Sequence, residues 1–168
     1  MIIDTHCHLD QPQFDDDREQ VLARAADAGV ARILNPATDL VSCRKVLALA
    51  EAYPPVYAAL GVHPNDCADF DDKTLAELRE LATGPKVVAI GEIGLDYYWE
   101  SVPHEQQKRA LRSQLALAAE LKLPVILHSR GGAGAGRDAM AELLWELAQW
   151  VPTVRKDREP AAILGVLH

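Results

Sequence analysis

Five times along this chain a short apolar run gives way to a segment of helical period, and a sixth apolar run comes last. The runs are Met1–Ile3, Val30–Leu34, Val56–Leu60, Val87–Ile90, Val125–Leu127 and Ile163–Leu167. They are continuous hydrophobic stretches without apolar–polar alternation, the pattern of strands covered on both faces. The segments between them have helical period and helix punctuation. Asp15–Ala28 carries Val21, Ala25 and Ala28 on one face, with Gly29 as its stop. Asp39 can cap a helix to about Ala52, with Cys43, Val46, Leu47 and Ala50 on its inner stripe. Leu75, Leu78 and Ala82 mark a third helix, ended by Gly84-Pro85. A fourth runs from about Pro103 to Leu121, with Leu111, Leu115, Ala118 and Ala119 facing in. A fifth carries Met140, Leu143, Leu144, Leu147 and Val151. Such alternation with short connections predicts an α/β fold with a parallel sheet and right-handed crossovers. No linker, repeat or composition shift interrupts it, so residues 1–168 are expected to form a single domain.

Composition narrows the class. With 49% hydrophobic and 25% charged residues the chain is neither disordered nor collagen-like. No apolar run approaches the ~20 residues that span a bilayer, and the start lacks the basic and apolar regions of a signal peptide. Three cysteines without a Cys-x-x-Cys pair argue against a disulfide framework or zinc ribbon and fit a reducing cytoplasm. The net charge of −8 argues against a broad basic surface for a polyanion. Cations bound at a site would invert the field locally.

Chemistry-bearing side chains recur just after the apolar runs. His6 and His8 follow the first, His63 the third, Glu92 the fourth, His128 the fifth and His168 the sixth. In a parallel βα array these strand ends share one rim, where such folds place their sites. Five of the six histidines therefore converge, and only His104 falls elsewhere, as a solvated residue at a helix start. His6 and His8 are two apart, so an extended backbone puts both rings on one side while Cys7 points away into packing. Imidazoles with a carboxylate able to bridge suit divalent transition metals, without choosing among them.

Other positions carry weaker signals. His63 precedes Pro64 and either orients a ligand or simply finishes its strand. Asp96 is either a support for the ligand residues or a loop brace. Cys43 and Cys67 read as core or surface residues without chemistry. Arg130, two residues past His128, suits a phosphate or carboxylate, or else a surface salt bridge. Tyr97, Tyr98 and Trp99 either stack an unpaired base or plug a loop, with packing favoured. Gly131–Gly136 lacks the Lys-Ser/Thr ending of a phosphate-binding loop, so a flexible insertion is favoured over an anion cradle.

Four motifs together resemble the TatD family of metal-dependent hydrolases. They are Asp4-Thr5-His6-Cys7-His8-Leu9-Asp10, Gly61-Val62-His63-Pro64, Gly91-Glu92-Ile93-Gly94-Leu95-Asp96-Tyr97-Tyr98 and Leu123-Pro124-Val125-Ile126-Leu127-His128-Ser129-Arg130. The tail Gly165-Val166-Leu167-His168 is similar to the start of the family's sixth-strand motif. The resemblance implies a (β/α)8 TIM-type barrel, here incomplete at about five βα units plus a sixth strand. It implies two divalent metal ions (Mg, Mn or Zn), with His6 and His8 on one, His128 and His168 on the other and Glu92 bridging. It implies deoxyribonuclease activity, with His63 and Arg130 near the phosphate. The family continues through two more βα units, including a late aspartate that completes the first metal site. Two rival readings follow. The same ligands could serve hydrolysis of small esters, amides or aminoacyl-tRNA. Alternatively, the chain is an inactive fragment that associates through its open barrel edge, with itself or a complementary chain.

Overall fold

The computed structural model describes residues 1–132, 138–156, 158–159 and 162–168. Six strands, β1 (Ile2–Asp4), β2 (Val30–Pro36), β3 (Val56–Leu60), β4 (Val87–Asp96), β5 (Val125–Arg130) and β6 (Gly165–Leu167), form one sheet. Its order is strictly sequential, β1 to β6, and every neighbouring pair is parallel. This is the neighbour order of a βα-barrel wall. The helices between them are α1 (Arg18–Asp27), α2 (Leu40–Ala52), α3 (Asp72–Leu81), α4 (His104–Leu121) and α5 (Ala139–Arg155), with a 3-10 turn at Pro12–Phe14. The expected α/β class and parallel sheet are present.

Local chemistry sets the helix starts. Asp39 accepts the Ser42 N–H at 2.6 Å, Asp71 those of Lys73 and Thr74, and Asp138 that of Ala141. The main core lies between the sheet and the helices, around Val46, Val56, Leu60, Leu78, Ile90, Ile93, Leu111, Leu117 and Leu143. Ala59, Ala89 and Ile126, with Leu34 against them, form a separate small cluster.

Several sequence expectations need correcting. The first helix starts at Arg18, not Asp15, because Pro12–Phe14 and the turn after it use the preceding residues; Ala28 is exposed and no α1 residue is fully buried. The fourth strand runs on to Asp96, well past Ile90, because its pairing with β5 continues from Ile93 to Asp96. Met140 and Leu144 face solvent, since the inner stripe of α5 is Ala139, Leu143, Glu146, Trp150 and Val154, a helical period in a different phase. The outer strands are not covered on both faces: Ile2 and Ile3 of β1 and Val166 and Leu167 of β6 are exposed, as is Ile163 before β6.

Candidate metal centre

Glu92 is the hub. It sits on β4 with its side chain only 3% exposed, and its two oxygens face different imidazoles. Oε2 lies 3.2 Å from His6 Nε2 and 3.6 Å from His8 Nε2, both just beyond β1. Oε1 lies 3.0 Å from His128 Nδ1 on β5, 2.5 Å from His168 Nε2 beyond β6, and 4.0 Å from His63 Nε2 beyond β3. The five histidines expected on one rim are thus together. Burial alone would raise the Glu92 carboxyl. Hydrogen bonds with His128, His6 and His168 outweigh it and hold the group well below the ordinary carboxylate range.

Glycines make this geometry possible. At Gly94, φ is +155° and a Cβ would stand 1.9 Å from the His128 carbonyl oxygen. At Gly91 a Cβ would stand 2.6 Å from Ile126 Cβ. The two glycines flanking Glu92 therefore let β4 and β5 approach closely enough to bring Glu92 against His128.

The hydrogen bonds identify the free lone pairs. His8 Nδ1 is 3.0 Å from the Pro36 carbonyl, which can only accept, so Nδ1 carries the proton. The Nε2 lone pair of a neutral His8 then faces His6 Nε2 at 3.1 Å and the Glu92 carboxylate. His128 Nε2 meets Asp96 Oδ2 at 3.1 Å, which leaves Nδ1 toward Glu92 Oε1. Burial opposes a charge on His128, but its hydrogen bonds to Glu92 and Asp96 prevail and raise its pKa. Lone pairs directed at a carboxylate need a cation or a proton between them. Nitrogen donors around a shared carboxylate are also a donor set that divalent metals accept. His6, His8 and Glu92 bring ligand atoms within 4.8 Å of one another, as do His63, Glu92 and His128. On this chemistry the residues fit a divalent metal.

His63 differs from the others. Its Nδ1 accepts the Asn65 backbone N–H at 3.1 Å, so a neutral ring carries its proton on Nε2, toward Glu92. Burial, reinforced by the nearby His128, pulls its pKa down to about 4 and keeps it neutral near pH 7. A neutral His63 thus presents an N–H donor to the centre.

Asp96 is both a support and a loop brace. Oδ2 accepts the Asn65 side-chain amide and faces His128, while Oδ1 accepts the backbone N–H groups of Tyr98 and Trp99. Burial would raise its carboxyl, but these donors hold it below its usual range. Its own backbone is clamped by the buried Gln107 amide, which accepts the Asp96 N–H and donates to the Asp96 carbonyl. Gln114, about two turns further along α4, does the same for Val62, next to His63. Asp10 is buried and receives Asn35 Nδ2 and Ser42 Oγ at 2.9 and 2.7 Å, tying the His6–His8 segment to β2 and α2. Sequence reading missed Asn65, Gln107, Gln114 and the role of Asp10. The one available signal was a polar phase in the apolar stripe of α4, where Gln107 and Gln114 share the inner face with Leu111 and Leu115.

The remaining candidates divide. His104 is not a solvated residue: its ring stacks on Tyr97 at 3.6 Å with 13° between planes. Tyr97 is fully buried and donates to Glu142, so it packs as expected, whereas Tyr98 and Trp99 are about half exposed. Arg130 is exposed, with its guanidinium 3.9 Å over the Tyr98 ring. Cys43 and Cys67 are buried and Cys7 half-buried, all as free thiols. Most of the Gly131–Gly136 stretch, from residue 133 on, lies outside the described residues.

Comparison with known proteins shows the family. The family model for TatD-related DNases matches residues 3–168. The metal-dependent hydrolase YabD of Bacillus subtilis (strain 168), uncharacterized by its name, is 38% identical over the whole chain and 60% of its own length. A protein named 3'-5' ssDNA/RNA exonuclease TatD, from Cronobacter sakazakii, is 39% identical over 97% of this chain and 57% of its own. The crystal structure of the TatD homologue YjjV from Escherichia coli K12 superposes with a TM-score of 0.80 at 44% identity. That match covers 89% of this chain and 56% of that one. The chain thus spans a little over half the length of the relatives it matches.

Proposed function

Because this chain belongs to the family of TatD-related DNases, we propose that it is a metal-dependent phosphodiesterase, cleaving DNA in the cytoplasm with two divalent ions (Mg, Mn or Zn). The observation that carries this reading is the division of imidazoles between the two Glu92 oxygens. His6 and His8 with Oε2 would hold one ion, and His128 and His168 with Oε1 the other. The chemistry supplied by such ions is Lewis-acid polarisation of a phosphoryl oxygen and activation of water near neutral pH.

The chain's own groups do the rest. The Pro36 carbonyl holds His8 in the tautomer that directs a lone pair inward, and Asp96 would take the Nε2–H of His128 when Nδ1 binds an ion. His63 offers Nε2–H to a phosphate oxygen. Arg130, at the rim, offers a planar guanidinium suited to the phosphodiester. Glu92 stays ionised throughout, so a phosphate can approach it only with cations between them. Relatives named as exonucleases of single-stranded DNA and RNA support the substrate class.

The test is manganese-dependent nucleotide release from single-stranded DNA, compared with Glu92→Ala. The variant should lose at least about 100-fold, since even outer-shell supports of a metal site cost 10- to 100-fold. Release that the substitution leaves intact would exclude this centre.

A further inference from the structure

We propose that Tyr98, Trp99 and Arg130 form a subsite for an unpaired nucleobase and its phosphate; this rests on the nuclease reading above and names the residues that would contact the strand.

The three consecutive aromatics do not act as a unit. Tyr97 is fully buried, but Tyr98 and Trp99 are 50% and 52% exposed. Their rings meet edge to face at 4.8 Å and 88°. Arg130 lies over them, its Cζ 3.9 Å from the Tyr98 centroid and 5.7 Å from that of Trp99. Among the described residues no ion pair neutralises Arg130.

This surface is anchored to the metal centre. Asp96 Oδ1 takes the backbone N–H groups of both Tyr98 and Trp99, while its Oδ2 faces His128. Arg130 pairs with Asp96 in the β4–β5 ladder, two residues beyond His128. Two half-exposed aromatic rings, Tyr98 carrying the Arg130 guanidinium on one face, therefore stand on the same rim as Glu92, and Asp96, which takes the backbone N–H groups of Tyr98 and Trp99, also meets His128.

The chemistry selects the ligand. Base–aromatic stacking uses a face that every nucleobase has, but bases inside a duplex already stack on each other. A guanidinium matches a phosphate in geometry and charge. With 17 basic against 25 acidic residues the net charge is −8, so general phosphate attraction is weak. Base contacts would supply affinity that a basic groove supplies elsewhere.

The experiment uses phosphorothioate oligothymidylate, which resists hydrolysis, and an abasic oligomer of equal length and backbone, each with magnesium and with chelator. Binding is read by anisotropy and by tryptophan quenching; phosphorothioate oligouridylate forms an RNA arm. The wild type should bind oligothymidylate about 5- to 150-fold tighter than the abasic oligomer, the range expected for one stacked base. Trp99→Ala should remove most of that gap while leaving abasic binding unchanged, and Trp99→Phe should restore it. Arg130→Ala should weaken both oligomers alike. Equal wild-type affinity for the two oligomers, or an equal loss for both in Trp99→Ala, overturns the subsite while the nuclease reading stands. No binding of any oligomer overturns both.

Discussion

Asp96 Oδ2 lies 3.1 Å from His128 Nε2, opposite the 3.0 Å contact between Nδ1 and Glu92 Oε1, so the imidazole is gripped between two carboxylates. A neutral imidazole has one N–H and one lone pair. In a neutral ring whose Nδ1 lone pair binds a cation, the N–H on Nε2 goes to Asp96. The aspartate is itself held by four neighbours, so the ring has little freedom to turn.

Asp96→Asn preserves the shape of this support but removes its charge. We expect the folded protein to keep its cooperative melt. Its affinity for manganese should fall about 10- to 100-fold, the usual cost of losing such a partner. Calorimetric titration of the metal-free protein measures this directly. An affinity equal to the wild type would mean that Asp96 braces the loop and nothing more.

Gly94→Ala places a methyl group 1.9 Å from the His128 carbonyl oxygen in a backbone conformation that suits glycine. The strands must separate to admit it. The expected cost is at least ~2 kcal/mol, toward the upper end of overpacking penalties, read as a lowered urea midpoint. Metal affinity should fall with it, because Glu92 and His128 sit on the two separated strands. An unchanged midpoint contradicts the close approach.

The thiols should be inert in the folded protein. Burial pushes Cys43 up to about 12 and Cys67 up to about 11, and it also raises Cys7, with help from Asp4 and Asp10. The thiolate is the reacting species, so raised values mean little of it at pH 8. A thiol reagent should modify the native chain slowly and all three cysteines at once after denaturation. Rapid native labelling of Cys43 would show that the α2–β3 packing opens.

Among the described residues, exposed Ile2 and Ile3 on β1 and Val166 and Leu167 on β6 leave apolar side chains on the two outermost strands of the sheet. Such edges template pairing with another chain. Sedimentation velocity should show association that grows with concentration, and Val166→Lys should reduce it. One monomer boundary across a wide concentration range would refute edge pairing.

Much of the centre was legible because strand ends are local features. Val87–Ile90 is an apolar run and Glu92 follows it; the same holds for His63 and His128. A parallel sheet brings all such ends to one side. Errors arose where phase or partner mattered. Met140 and Leu144 fit a helical period as well as Ala139 and Glu146 do, but only one phase faces β4 and β5. His104 reads as a solvated helix start until Tyr97 lies flat against it.

The sequence by itself determined the strand–helix alternation, the parallel sheet and the meeting of five histidines around Glu92. Those follow from burial periodicity, which each segment carries within itself. Only the tertiary structure decided which imidazole nitrogen faces inward, that Tyr97 turns into the core while Tyr98 and Trp99 turn out, and that Asn65 joins His63 to Asp96. These depend on register between segments far apart in the chain, where a hydrogen bond forms or fails within a few tenths of an ångström.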